Sequence, residues 1–362
     1  MKSKERVITA LNHKQPDRPP VFVTVTPQIG EALNKMLAIK NDGLVDSFFA
    51  NRISYTKALT QLGNDCVCVA TCWPEGFTPV ENEDGSVTDE WGIVSKSTGM
   101  YNEMIGHPLA YVETIEELDE YTFPDPLAKG RFDFAREMIK KYGNDFAIIG
   151  EQECSVFEMS WYLVGLEKFL LDMMIEKPYI FELMDRVMEI NLKQACQLIE
   201  LGVDIIWTGD DMGDQNGMIL SPELWRKIFK PRMQHVFSTF KKLNPNIKIA
   251  YHSCGSILPI IPDLIEIGLD ILNPLQPLAK GMEAEPLKKE FGEKLSFFGG
   301  IDIQHLLPQG TPAEIKEVVK EKMQILGKNG GYILAPVHNI QPDTPIENVI
   351  ALFDAVNSTL SD

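Results

Sequence analysis

The chain has 362 residues, 44% hydrophobic and 24% charged, a globular composition that excludes a disordered chain. Its 34 Lys and Arg against 52 Asp and Glu leave a net charge of −18. That excludes nucleic acid and anionic membranes as partners, since both are bound mainly by neutralising phosphate.

In chain order, the N-terminus (MKSKERVITALNHKQPDRPPVFV) is charged and amphipathic and lacks an apolar leader core. The first strand is predicted at VFVTVT (21–26) and the second at DCVCVA (65–70). Further strands follow at FAIIG (146–150), DIIWTG (204–209), IKIAYH (247–252), DILNPL (270–275), LSFFGG (295–300) and GYILAP (331–336). Most are continuously apolar, as strands buried on both faces are. Between them, Pro178–Leu201 has apolar residues at helical spacing and stops at Gly202. Ser221-Pro222-Glu223 opens a helix through Phe229, and Thr311-Pro312-Ala313-Glu314 opens another to about Leu326. Eight strands alternating with helices predict one α/β domain over residues 1–362, a (β/α)8 TIM barrel. An open doubly wound sheet is the alternative, without the G-x-G-x-x-G loop that would favour it. Residues 73–126, with a turn at Asp84-Gly85, are expected to form a β-hairpin insertion between strands two and three, over the barrel mouth. No apolar run approaches the ~18 residues of a membrane span, and six sparse cysteines do not form a disulfide scaffold. A reduced, cytoplasmic protein is expected.

Barrels of this type carry their chemistry at the C-terminal ends of the strands. Those positions hold Glu151 with Cys154 behind it, Asp210-Asp211, His252-Ser253-Cys254, Asn273 with Gln276, Asp302, and His338-Asn339. Each has a bland alternative: a capping carboxylate, a buried thiol, a histidine satisfied at a strand end. His252 and Cys254 lie two apart, on one side of an extended strand, and zinc accepts such an N,S pair. The third ligand is expected to be His338, with Gln276 or Glu151 as weaker candidates. Cys66 and Cys68, on a strand, are expected to be a poor ligand pair and read as core packing.

The segments ERVITALNHKQPDRPPVF, DEWG, GDDMGDQNGMILSPELWRKIFKPR, YHSCGSI, GGID and APVHNIQPDTPIENV resemble the uroporphyrinogen decarboxylase superfamily nearly end to end. The resemblance implies the same barrel. It also implies one of two activities, porphyrinogen decarboxylation or zinc-dependent methyl transfer linked to a corrinoid protein. His252-x-Cys254 is similar to the zinc motif of the methyltransferase branch, and His338 stands where thiol-methylating members carry a further cysteine. None of the eight arginines falls in a predicted strand or among the strand-end residues, so an octa-anionic porphyrinogen is not expected at this mouth.

The expected activity is transfer of a methyl group from a small methoxylated donor to a corrinoid carried by a partner protein. Zinc on His252, Cys254 and His338 would act as Lewis acid. Asp210, Asp211 and Glu151 are the expected catalytic carboxylates; Asn273, Gln276, Asp302 and Asn339 are expected to bind substrate. Trp73, Trp91, Trp161 and Trp207 are candidates for an aromatic wall or for core packing. A uroporphyrinogen decarboxylase, a thiol-directed methyltransferase and a non-catalytic barrel remain the alternatives.

Overall fold

The computed structural model describes residues 1–45, 47, 52–99 and 102–358. Its strands are β1 (Cys66–Ala70), β2 (Val80–Glu81), β3 (Val87–Thr88), β4 (Val94–Ser97), β5 (Asn102–Gly106) and β6 (Ala147–Glu153). They continue with β7 (Ile205–Gly209), β8 (Lys248–His252), β9 (Ile271–Leu275), β10 (Ser296–Ile301) and β11 (Tyr332–Pro336). Seven of them form one parallel sheet, ordered β1-β6-β7-β8-β9-β10-β11.

This sheet is buried on both faces, which explains its continuous apolar runs. Along each strand alternate residues enter two different cores. Cys66, Cys68, Ala147, Ile149, Ile205, Trp207, Ala250, Ile271 and Phe298 pack together on the inner face. Val67, Val69, Ile148, Ile206, Ile249, Tyr251 and Leu272 join the larger core under the helices.

The predicted first strand forms only two isolated bridges, Val21 to Leu334 and Val25 to Ile340. The segment still bonds on both sides. Phe22 N–H donates to the Leu334 carbonyl (2.9 Å) and Thr26 N–H to that of Ile340 (3.0 Å). On the other side most partners are side chains: Val21 N–H donates to Asp65 Oδ2 (2.9 Å) and Val23 N–H to Asn64 Oδ1 (2.8 Å), with one backbone bond from Asp65 N–H to the Val21 carbonyl (2.8 Å). Side-chain oxygens stand where ladder carbonyls would, so no strand pairing registers there.

Between β1 and β6 the chain forms a separate antiparallel sheet, β2-β3-β4-β5, where a single hairpin was expected. Its Asp84-Gly85 turn joins β2 to β3, with Gly85 at φ +78°. The helix opened by Ser221 runs through Phe229 to Leu243 despite Pro231, and Ser221 Oγ accepts Leu224 N–H (3.1 Å). Arg232 Nη1 donates to the Ile228 carbonyl (2.7 Å), a further partner for the backbone at the proline turn. The helices at Pro178–Leu201 and Pro312–Leu326 have the predicted bounds, the latter opened by a capping box between Thr311 and Glu314. Among the described residues, no helix is long and apolar enough to cross a membrane.

Candidate active site

The inner-face series of β6 runs Ala147, Ile149, then Glu151 and Glu153; that of β8 runs Ala250, then His252; that of β9 runs Ile271, then Asn273. Where the apolar layer ends, these polar side chains cap it. Asp211 and Cys254 are the next residues of like parity beyond β7 and β8.

Asp211, His252 and Cys254 each present one ligand atom, and these atoms lie within 4.8 Å of one another. His252 Nε2 is 3.5 Å from Asp211 Oδ1 and 3.5 Å from Cys254 Sγ. A tetrahedral zinc ion separates its N, O and S ligand atoms by about 3.3–3.8 Å, so the set fits that metal. The histidine tautomer suits it too. Asn273 Nδ2 donates to the Phe298 carbonyl (3.3 Å), which orients its Oδ1 toward His252 Nδ1 at 2.6 Å. Oδ1 can only accept, so Nδ1 of the neutral ring carries the proton and the Nε2 lone pair faces Asp211 and Cys254. Asp211 Oδ1 also accepts the Cys254 N–H (2.7 Å), locking the two loops together. Burial, followed by the Asp211 charge, pushes the Cys254 thiol well up in the metal-free arrangement.

Behind His252 lies a buried ion cluster. Arg52 Nη1 bonds both Glu151 and Glu153, and its guanidinium stands 5.0 Å over the Trp207 ring. Trp207 Nε1 donates to Glu153 Oε1 (2.7 Å), which also lies 3.3 Å from His252 Nδ1. Burial alone would raise Glu153; the Arg52 guanidinium overrides it and holds it at about 2. Glu151 is raised by burial despite Arg52, and Cys68 Sγ donates to it (3.4 Å). The absence of arginine expected at the mouth is therefore corrected. Arg52 reaches it from a loop, but two glutamates engage its charge.

The remaining predicted residues separate. Asp210, fully buried, faces the opposite way from Asp211 and accepts Val156 N–H (3.1 Å), Glu158 N–H (3.0 Å) and Ser155 Oγ–H (3.0 Å). It caps the helix Phe157–Val164, and burial pushes it up to about 7 against those donors. Asp302 likewise accepts Gln304, His305 and Leu306 N–H groups at the start of a short helix. Gln276 Oε1 accepts Gly255 N–H (2.8 Å), bracing the cysteine loop. His338 lines a hollow with Arg52, Trp207, His252 and Asn273 but stands outside the three-ligand group; burial, then Arg52, lowers it to about 3. Asn339 is buried, its carbonyl accepting from Gln341 Nε2 (3.1 Å). Trp207 lines the hollow, and Trp73 and Trp91 line a neighbouring cavity. Glu153 and Arg52 escaped the sequence reading. The first follows Glu151 by two residues, a signal that a longer β6 would have exposed.

A parallel α/β sheet whose strand ends gather a His, a Cys and carboxylates defines an enzyme-like barrel-type protein. Residues 102–359 match the uroporphyrinogen decarboxylase (URO-D) family, and the chain belongs to it. It is 27% identical over 246 residues to methylcobamide:CoM methyltransferase MtaA of Methanosarcina barkeri, covering 66% of this chain and 68% of that one. It is 21% identical over 371 residues to uroporphyrinogen decarboxylase of Coxiella burnetii, covering 98% and 94%. A solved methyltransferase from Methanosarcina mazei superposes with a TM-score of 0.72 at 22% identity, covering 99% of each chain, and shares the fold.

Proposed function

We propose that this chain is a zinc-dependent methyltransferase that takes a methyl group from a small methoxylated donor and passes it to the corrinoid of a partner protein. The observation that carries the reading is the Asp211–His252–Cys254 cluster, with His252 turned and its tautomer set by Asn273. The similarity to methylcobamide:CoM methyltransferase MtaA supports methyl transfer and a corrinoid partner. In this reading the sheet and the Val21–Thr26 segment close as a single-domain (β/α)8 barrel, and the cluster faces its mouth.

In the reaction the methyl–oxygen bond breaks, the oxygen keeps the electron pair and the methyl group goes to the acceptor. Zinc held by Asp211, His252 and Cys254 would supply Lewis-acid stabilisation of that oxygen. The chain's own residues do the rest. Asn273 and Glu153 fix the His252 ring, and Arg52 and Trp207 fix Glu153. Asp211, whose side chain is 38% exposed, leaves the cluster open to a substrate. His338, lowered to about 3, presents a neutral imidazole to the hollow. Asp210 positions the neighbouring helix.

The test is metal analysis of purified protein beside Asp211→Asn, His252→Ala and Cys254→Ser, followed by a panel of methoxyaromatic compounds assayed with reduced cobalamin. One zinc per chain, diminished in each variant, together with methylcobalamin formation from a panel member, is the expected result. Wild-type protein without stoichiometric zinc would sink the mechanism. Zinc without transfer from any panel member would sink the donor class.

A further inference from the structure

Beside the metal cluster, the ends of β1 and β6 part around a second hollow, open to solvent. Its wall holds Glu90, Glu151, Glu153, Gln152 and the indoles of Trp73 and Trp91. Glu153 also lies 3.3 Å from His252 Nδ1, so the two spaces adjoin.

The charges of this wall are unequal. Arg131 meets Glu90 with both terminal nitrogens (2.6 and 2.7 Å), so that pair is neutral, and Arg131 Nε, although without a partner among the described residues, belongs to a guanidinium whose charge is met. Arg52 serves both Glu151 and Glu153 and can neutralise only one. Among the described residues of this wall, three carboxylates therefore face two guanidiniums. Gln152, 6% exposed, donates through Nε2 to Asn191 Oδ1 (3.1 Å), and Asn191 in turn donates to the Cys154 and Ser155 carbonyls. That chain of donors fixes which end of the amide is oxygen. Among the described residues Gln152 Oε1 is left buried with no partner, an acceptor whose burial costs about 1–3 kcal/mol until a donor reaches it.

We infer that this cavity binds a small organic ammonium ion carrying at least one N–H. The N–H meets Gln152 Oε1, the positive charge balances the third carboxylate, and the alkyl part lies against the two indoles, where a cation is also attracted by the ring faces. An anion gains none of these terms and meets three carboxylates. Taking this ion as part of the methyl donor rests on the methyltransferase reading; the binding itself does not.

The experiment titrates metal-stripped and zinc-loaded protein with methylammonium, dimethylammonium, tetramethylammonium and acetate at fixed ionic strength, read by saturation-transfer NMR. Methylammonium and dimethylammonium are expected to bind saturably with or without zinc, tetramethylammonium about ten-fold or more weakly for want of an N–H, and acetate not at all. Gln152→Met is expected to weaken dimethylammonium by about ten-fold, and Trp73→Leu by a few-fold. Should Gln152→Met not fold, Trp73→Leu and the N–H series still decide. Acetate binding as well as the amines, no difference between dimethylammonium and tetramethylammonium, or no saturable binding would overturn the inference. Ammonium binding without methyl transfer from any donor overturns the proposed function alone. Transfer without ammonium binding overturns this inference alone.

Discussion

Replacing Arg52 by Met removes the cation that two buried glutamates share, while keeping most of the side-chain volume. Glu153 lies at about 2 in the folded chain against an ordinary 4.5. Breaking a buried pair by removing one partner costs about 3–5 kcal/mol. The guanidinium over Trp207 adds about 1 kcal/mol. The sign with pH follows from the same shifts. The wild-type Glu153 contribution is fully present above 4.5 and disappears as pH falls through about 2. In Arg52→Met, burial dominates both glutamates and lifts them above 4.5, so the variant regains stability as acid protonates them. Urea unfolding of metal-stripped wild type and Arg52→Met at pH 8 and pH 5 measures this. The expected loss is about 3–5 kcal/mol at pH 8 and clearly smaller at pH 5. A loss below about 1 kcal/mol, or one equal at both pH values, would refute the account of Arg52 as the shared counter-charge.

Asn273→Leu removes the acceptor that holds the proton on His252 Nδ1; zinc affinity, measured by chelator competition, is expected to fall by about 10–100-fold with the fold retained. Asp210→Ala leaves the Val156 and Glu158 N–H groups buried without their carboxylate and is expected to cost about 2–3 kcal/mol in denaturant unfolding, without changing zinc content. Asp89 is pushed up to about 7 by burial, so the wild type loses stability as pH rises from 3.8 towards 7. Asp89→Asn, which keeps an acceptor for the Trp91 and Ile93 N–H groups, is expected to be near neutral at pH 5 and stabilising by about 1 kcal/mol at pH 8 in thermal melts. Gly255 sits at φ +78° with backbone of Gly213 and Asp214 where a Cβ would lie. Gly255→Ala is expected to displace the Cys254 loop and lower zinc stoichiometry, read by metal analysis of the folded fraction.

The parallel sheet was legible because a strand buried on both faces has to be apolar at every position, and seven such runs became strands. VFVTVT has the same composition but pairs on one side with the Asn64 and Asp65 side chains, a tertiary fact that no local run contains. The insertion sheet was only partly readable, since strands as short as Val80–Glu81 have no periodicity to detect.

At the site, His252 and Cys254 stood out because they lie two apart on an extended segment. Arg52 comes from a loop with no pattern of its own, and Glu153 was hidden by ending its strand at Gly150 instead of three residues later. The choice between Asp210 and Asp211 was within reach of the sequence. Both side chains cannot face the same way on an extended chain. In the parallel register Gly209 pairs with His252, and Asp211 and Cys254 are separated by the same 43 residues. Matching the ends of neighbouring strands therefore sets Asp211 beside Cys254 before any side chain is placed, and leaves Asp210 to the helix behind. The same matching says nothing of His338, which enters from β11, three strands away from β8 in the sheet order, and only the curvature of the sheet brings it to the hollow.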